Sequence, residues 1–133
     1  MSGCILAVAM LFAVTAHAQS RGATPAARAI KNPVRTTAAS VTAGAAAYKK
    51  YCAFCHGVAA KGDGPLAPKD SNPPDLTDAT WAHGSTDDEI FTVIANGAGA
   101  NAKMIAFKGK MPDQDMWHMI NFLRSLGPTG AAR

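Results

Sequence analysis

The chain has 133 residues, a formal net charge of +4 at pH 7 and 48% hydrophobic residues, but 28 of its residues are alanines, so large apolar side chains are few. This length allows one domain. With 17% charged residues and a mean hydropathy of +0.02, the composition excludes an acidic disordered chain and a multi-span membrane protein.

The first 18 residues predict a signal peptide for export. An apolar run from Ile5 to Val14 precedes Ala-His-Ala at positions 16–18, a small-x-small site of the kind that a signal peptidase cuts. Two alternatives stay open, because the apolar run is short and no Lys or Arg precedes it. The run could be a buried helix, or the leader could stay uncleaved and anchor the protein to the membrane.

Residues 19–41 predict a flexible basic linker. They are rich in Ala, Thr and Pro, carry four Lys/Arg and no acidic residue, and show no apolar periodicity. The folded domain is expected over residues 42–127, where eight Lys/Arg stand against nine Asp/Glu, and residues 128–133 are expected to form a disordered tail. The basic surplus belongs largely to the linker. A nucleic-acid-binding domain is therefore excluded, because no basic stripe lies on the folded part.

Two helices are predicted from their end signals. The first runs from near Thr42, a suitable N-cap, through an alanine-rich body to Tyr51. The second begins at a capping box formed by Thr86 and Glu89, and it ends at Gly97, where a C-cap glycine belongs.

A third helix is predicted from Pro112, a residue favoured at the first helical position. Its apolar stripe has the spacing i, i+3, i+4, i+7 and consists of Met116, Met119, Ile120 and Leu123. A long loop over residues 57–84 lies between the first two helices, and a loop of this length usually has a function. So small a core, with so long a loop, predicts that a bound group fills the middle of the domain.

Cys52, Cys55 and His56 form the C-x-x-C-H pattern of covalent haem attachment. Two thiols three residues apart on a helical turn can each add to a vinyl group of one porphyrin, and the next residue can turn its imidazole towards the iron. A thioredoxin-type redox pair would follow a β-strand, whereas no strand pattern precedes this motif. A structural zinc site would need four ligands, and the chain has no second cysteine pair to supply them.

From about Ala43 to Leu126 the chain resembles a monohaem class I c-type cytochrome. The resemblance rests on Gly44 and Tyr48, on Cys52, Cys55, His56 and Gly57, on Gly62, Asp63, Gly64 and Pro65, on Pro74, Asp75 and Leu76, on Trp81, His83, Gly84, Ser85, Thr86 and Asp87, on Met104 and Phe107, and on the stretch from Trp117 to Leu126. It implies an all-α, small class I cytochrome c fold, in which three main helices and long loops wrap around one covalently bound haem.

The resemblance also implies the ligands of the iron. His56 would be the proximal ligand, and the backbone carbonyl of Pro74 would accept the hydrogen of its Nδ1. A methionine sulfur would ligate the opposite side. Met104 is the expected ligand because of its place in the sequence. In relatives, the ligand methionine is followed by an aromatic residue, a short basic stretch and a helix that carries a tryptophan, and Met104 is followed by the same order here. Met111 is the alternative, since a proline follows it directly.

Four other side chains could in principle supply the distal ligand, and each has an ordinary structural interpretation. Met116 and Met119 belong to the apolar stripe of the last helix, where methionine commonly fills a core. His118 is offset from that stripe and is expected to face solvent. His83 lies beside a helix start and is expected to be a capping or surface residue.

The resemblance further implies that the first and last helices cross closely, with Gly44 meeting Phe122. A large residue in place of Gly44 would then push the helices apart and loosen the haem pocket. A glycine at a helix start is the alternative explanation of this position.

His/Met ligation fills both axial positions of the iron, so the resemblance implies electron transfer without substrate turnover. The expected protein is a monomeric periplasmic electron carrier with no transmembrane segment after cleavage of its leader. It would pass single electrons from a donor dehydrogenase or quinol-oxidising complex to an acceptor oxidase. Two alternatives stay open: a cytochrome subunit of a dehydrogenase complex, with residues 19–41 as the docking segment, and a haem sensor or peroxidase-like protein whose methionine leaves the iron.

Overall fold

The computed structural model describes residues 30–70, 73–79, 81–100 and 103–127. Four helices occur in these ranges: α1 (Ala38–Tyr51), α2 (Ala53–His56), α3 (Asp87–Asn96) and α4 (Asp113–Leu126). The described residues form no β-strand, and they pair only at an isolated bridge between Lys108 and Met111. The predicted all-α fold with long loops is confirmed. The predicted signal peptide, residues 19–29 of the predicted linker and the predicted tail lie outside the described residues.

Helix α1 begins earlier than predicted, at Ala38 and not near Thr42. Its N-cap is Thr37, whose hydroxyl oxygen accepts a hydrogen bond from the backbone N–H of Ser40 at 3.1 Å. Thr42 lies inside the helix, where its hydroxyl donates to the Ala38 carbonyl at 2.9 Å. The helix thus opens at Thr37, because the alanines that directly follow it favour helix.

The segment before α1 packs against α4, which the prediction of an unpacked linker did not include. The side chain of Asn121, only 2% exposed, accepts hydrogen bonds from Asn32 Nδ2 and Thr36 Oγ1, each at 3.0 Å. Its own Nδ2 donates to the Val34 carbonyl at 3.0 Å and to Ser40 Oγ at 2.8 Å. The described end of the predicted linker therefore belongs to the folded domain.

Helices α1 and α4 cross at very close range. A Cβ added to Gly44 would stand 2.0 Å from the backbone oxygen of His118 and 2.9 Å from Cβ of Phe122. One turn later, the rings of Tyr48 and Phe122 lie 5.3 Å apart. The predicted approach of Gly44 to Phe122 is confirmed. His118 is half-buried instead of facing solvent freely, because its Nδ1 lies 2.9 Å from Ser40 Oγ.

Helix α3 has the ends that the sequence predicted. The backbone N–H of Thr86 donates to Glu89 Oε2 at 2.9 Å in a capping box, and the C-cap Gly97 donates its N–H to the Val93 carbonyl at 2.8 Å. The hydrogen bonds that Glu89 accepts from the backbone and side chain of Thr86 hold the pKa of its carboxyl below the usual value. The caps fix where the loop that follows α3 must start.

Helix α4 provides most of the core. Met116, Met119 and Ile120 are fully buried, and Trp117 stacks on Phe91 of α3 with ring centroids 4.1 Å apart. The helix begins one residue later than predicted, because Pro112 is its N-cap and Asp113 its first residue. The predicted apolar stripe is buried, and two of its members, Met119 and Leu123, line the cavity described below.

Candidate haem site

The residues singled out from the sequence surround a cavity of about 790 Å³. Its wall is largely apolar, with side chains such as Tyr51, Leu76, Ile94, Phe107 and Leu123, and it includes Cys52, Cys55, His56, Pro74 and Met104. A cavity of this size and lining suits a large apolar molecule. All five predicted site residues thus line the same cavity, although Pro74 and Met104 are far in the sequence from the C-x-x-C-H motif.

The cysteines reach the cavity from the end of α1 and from α2. Cys52 is the residue between the two helices, and Cys55 lies in the single turn of α2. Both thiols are free, with no disulfide between them. Burial, together with the nearby Cys55, raises the pKa of the Cys52 thiol to about 12. The Cys52 Sγ lies 3.4 Å from Sδ of Met119, so α4 packs directly against this thiol.

His56 ends α2 with its imidazole in the cavity wall. Burial lowers the pKa of the imidazole, and the nearby backbone carbonyl of Pro74 opposes this effect. Nδ1 is buried and makes no hydrogen bond of good geometry with the described residues. Burial thus favours the neutral imidazole, which is the form that ligates a metal, and Pro74 lies in the same cavity wall.

The loop after α3 brings Met104 to the cavity. Phe107 donates its N–H to the Ile94 carbonyl at 3.1 Å, and Lys108 donates to the Ala95 carbonyl at 3.0 Å. These bonds hold the segment that follows Met104 against α3. The segment before it passes close to Gly97, where an added Cβ would stand 2.9 Å from the Met104 carbonyl oxygen.

The other candidates for the distal ligand differ in position. Met111 is buried, at 3% exposure, and does not line the cavity; Met116 and His118 do not line it either. Met119 lines it on the side of Cys52, whose thiol it contacts. His83 lines it as an exposed side chain.

Sequence reasoning missed two ion pairs at the rim of the site. Lys61 contacts Asp75 at 3.1 Å, and Lys103 contacts Asp70 at 3.4 Å. The order Asp-Leu-Thr after Pro74 could have indicated the local turn of Asp75 with Thr77, but not the distant Lys61. The second pair joins two loops, and nothing in the local sequence indicates it.

The donor set fits a covalently attached haem. Two free thiols, a neutral imidazole and a thioether line one apolar cavity, and these are the groups that attach a porphyrin and ligate its iron. A zinc site has no such support, since no three His, Cys, Asp or Glu side chains gather around a common point in the part of the chain described above. The fold and the site define a class I c-type cytochrome.

Comparison with known proteins agrees with this class. Residues 39–123 match the family model described as "Cytochrome C oxidase, cbb3-type, subunit III", and the chain belongs to this family. It is 34% identical over 86 residues to the Cbb3-type cytochrome c oxidase subunit FixP of Bradyrhizobium sp. (strain ORS 278), a match that covers 64% of this chain and 27% of that protein.

Solved structures show the same fold. The chain is similar to one in the reducing HAO-like protein complex of Kuenenia stuttgartiensis, with a TM-score of 0.63, 25% identity, and coverage of 72% of this chain and 47% of that one. It is also similar to cytochrome cL of Methylophaga aminisulfidivorans, with a TM-score of 0.56, 24% identity, and coverage of 69% and 57%. It thus spans less than two thirds of each of these three relatives.

These findings confirm two expectations. The chain is a monohaem class I c-type cytochrome, and its cofactor is a covalently bound haem c. Its family supports a role as an electron carrier. Over the residues that the structure describes, no helix combines the length and the apolar character needed to cross a membrane.

Proposed function

We propose that this cytochrome is a periplasmic single-electron carrier whose haem is attached through Cys52 and Cys55 and ligated by His56 and Met104. The observation that carries the proposal is that these four side chains line one apolar cavity. Bound haem supplies one-electron exchange between ferric and ferrous iron. The chain itself has to hold both axial ligands, exclude water and keep the imidazole neutral.

Each residue has a defined part in this arrangement. Cys52 and Cys55 fix the porphyrin edge to the end of α1, next to the imidazole of His56. Pro74 supplies the carbonyl that keeps the hydrogen on Nδ1, so that Nε2 is free for the iron. Met104 supplies a soft thioether, which favours ferrous iron and raises the potential relative to bis-histidine ligation. If His56 and Met104 both bound the iron, no coordination site would be left for a substrate.

The choice of Met104 is tested by two conservative substitutions. Met104→Leu should abolish the weak red-edge sulfur-to-iron band of the oxidised protein, allow carbon monoxide to bind the reduced protein, and lower the potential. Met111→Leu should change none of these, and it should cost at most about 1.5 kcal/mol of stability as a volume-conserving swap in a buried position. If the band vanished in the Met111 variant and survived in the Met104 variant, the assignment would be wrong.

The attachment residues are tested by mass spectrometry of the protein isolated from its native host. We expect one haem on the chain, one thioether in the Cys52→Ala or Cys55→Ala variant, and no stable holoprotein for His56→Ala. The same spectrum reports whether the first 18 residues have been removed. A normal low-spin holoprotein from the His56→Ala chain would refute the ligand assignment.

The partners are the second part of the proposal. We expect electrons to come from a donor dehydrogenase or quinol-oxidising complex and to go to an acceptor oxidase. The relatives include an oxidase subunit and a chain of a HAO-like protein complex, which supports redox partner proteins and favours a cytochrome subunit as the alternative. Copurification with a larger protein in fixed ratio would support the subunit. A monomer that reduces and oxidises freely added partners would support the carrier.

A further inference from the structure

The loop after the C-x-x-C-H motif runs alongside the segment that carries Pro74. Leu76 donates its backbone N–H to the Ala60 carbonyl at 2.8 Å. Gly62 lies so close to Pro73 that an added Cβ would stand 2.0 Å from the Pro73 carbonyl oxygen. Contacts therefore flank Pro74 on both sides in the sequence, and its peptide group has little room to move.

The same loop is fastened to the proximal histidine. Gly62 donates its N–H to the backbone carbonyl of His56 at 2.9 Å, in addition to its close contact with Pro73. A continuous series of backbone contacts thus leads from His56 through Gly62 to the residue before Pro74. Anything that shifts this loop also shifts the Pro74 carbonyl relative to the imidazole.

Three side chains join the loop to the segment at this point. Lys61 donates to Asp75 Oδ2 at 3.1 Å and also contacts Thr77 Oγ1. Asp75 Oδ1 accepts the backbone N–H of Thr77 at 2.8 Å and its hydroxyl at 2.7 Å. We call Lys61, Asp75 and Thr77 the clasp. The bonds from Thr77, and then Lys61, hold the pKa of the Asp75 carboxyl below its usual range, so the carboxylate form is favoured.

Global stability does not explain this cluster well. The side chains of Lys61 and Asp75 are 52% and 33% exposed, and an ion pair in contact with water contributes little to the free energy of folding. Its geometry is nevertheless specific, since it joins two loops and one of its members directly follows Pro74. A role in local positioning accounts for both facts.

We propose that the clasp positions the Pro74 carbonyl against Nδ1 of His56 and thereby sets the reduction potential of the haem. The inference rests on the proposed function, because it requires His56 to ligate the iron. A carbonyl held close to Nδ1 makes the imidazole a stronger donor, which favours ferric iron and lowers the potential. Loss of the clasp loosens the carbonyl, and the potential rises. The members of the clasp are positioning residues and do not touch the iron.

The decisive variant is Thr77→Val, which removes the hydroxyl contacts of the clasp to Asp75 and Lys61 without changing any charge. We expect it to shift the ferric–ferrous equilibrium towards ferrous iron by up to about tenfold, the equivalent of one weakened hydrogen bond, or about 59 mV for a one-electron couple. Lys61→Gln and Asp75→Asn should both raise the potential as well. Simple electrostatics predicts opposite signs for these two variants, because one loses a positive and the other a negative charge.

The second ion pair provides the matched control. Lys103→Gln and Asp70→Asn remove the same kinds of charge, and their pair, at 3.4 Å, includes none of the clasp residues. We expect these variants to shift the potential in opposite directions, as charge alone requires. A second readout is the exchange of the Nδ1 proton of His56 in the reduced holoprotein, followed by NMR. It should accelerate by up to about tenfold in Thr77→Val and stay unchanged in both controls.

The inference is overturned if Thr77→Val leaves both the potential and the proton exchange unchanged. Each variant is measured as holoprotein that retains the sulfur-to-iron band, so its axial ligands are intact. An absent band in the parent protein would refute the proposed function. An intact band with an unchanged potential would overturn the role of the clasp alone.

Discussion

Replacement of Gly44 by alanine tests the helix crossing that closes the domain. On an exposed helix, this substitution stabilises by about 0.5–1 kcal/mol, since alanine has the higher helix propensity. Here the added methyl would stand 2.0 Å from the backbone oxygen of His118 and 2.5 Å from its carbonyl carbon, and neither atom can rotate away. The helices must therefore separate, so we expect a net loss of about 1–3 kcal/mol, the usual cost of overpacking.

The assay is thermal unfolding of the holoprotein, with Ala46→Gly on the exposed face of α1 as the control. The control should cost about 0.5–1 kcal/mol through helix propensity alone. For a domain of this size, each kcal/mol lowers Tm by roughly 4–8 °C. The Gly44 variant should also have a weaker sulfur-to-iron band, because α4 carries Met119 and Leu123 in the cavity wall. A rise in Tm for Gly44→Ala would show that the helices can part at no cost, and it would refute this reasoning.

Three further predictions follow from contacts around the core. Asn121→Ala should lower the free energy of unfolding by about 1–3 kcal/mol, because it leaves buried hydrogen-bonding groups unpaired; an unchanged urea midpoint would contradict it. Hydrogen bonds from Thr86 hold the pKa of Glu89 below its usual value of 4.5, so their stabilisation is present above that pH and is lost as the pH falls through the folded value. The Tm difference between the parent protein and Glu89→Gln should accordingly shrink on acidification, and a constant difference would exclude this linkage. Arg124 donates from Nε and Nη2 to Asp87 Oδ1 at 2.9 and 2.8 Å, and a double-mutant cycle with alanine at both positions should give a coupling of about 1 kcal/mol, whereas zero coupling would show that solvent replaces the pair.

Local signals accounted for much of the fold. The capping box of Thr86 and Glu89 and the glycine at position 97 act within one helical turn, so their meaning does not depend on distant residues. The close approach of Gly44 to Phe122 was anticipated only through resemblance to a family. No property of either residue alone indicates that it meets the other.

Contacts between distant segments were not predicted. Asn32 and Asn121 are 89 positions apart, and both are polar, so the segment before α1 has the composition of a linker although it is held by buried hydrogen bonds. The same limit applies at the site. The motif identified both cysteines and the histidine, but the ion pair between Lys61 and Asp75 depends on how two loops lie side by side.

The crossing of α1 and α4 also has a consequence for the order in which the domain folds. It joins the first and last helices, and Ser40 and His118, which touch there, are 78 positions apart. Such a contact forms only after a long loop has closed, and contacts of this kind slow folding. Helix α1 thus lacks its main packing partner until α4 is part of the chain. The domain therefore cannot assemble progressively from its amino-terminal end, and a chain that stops before Met116 should stay unfolded.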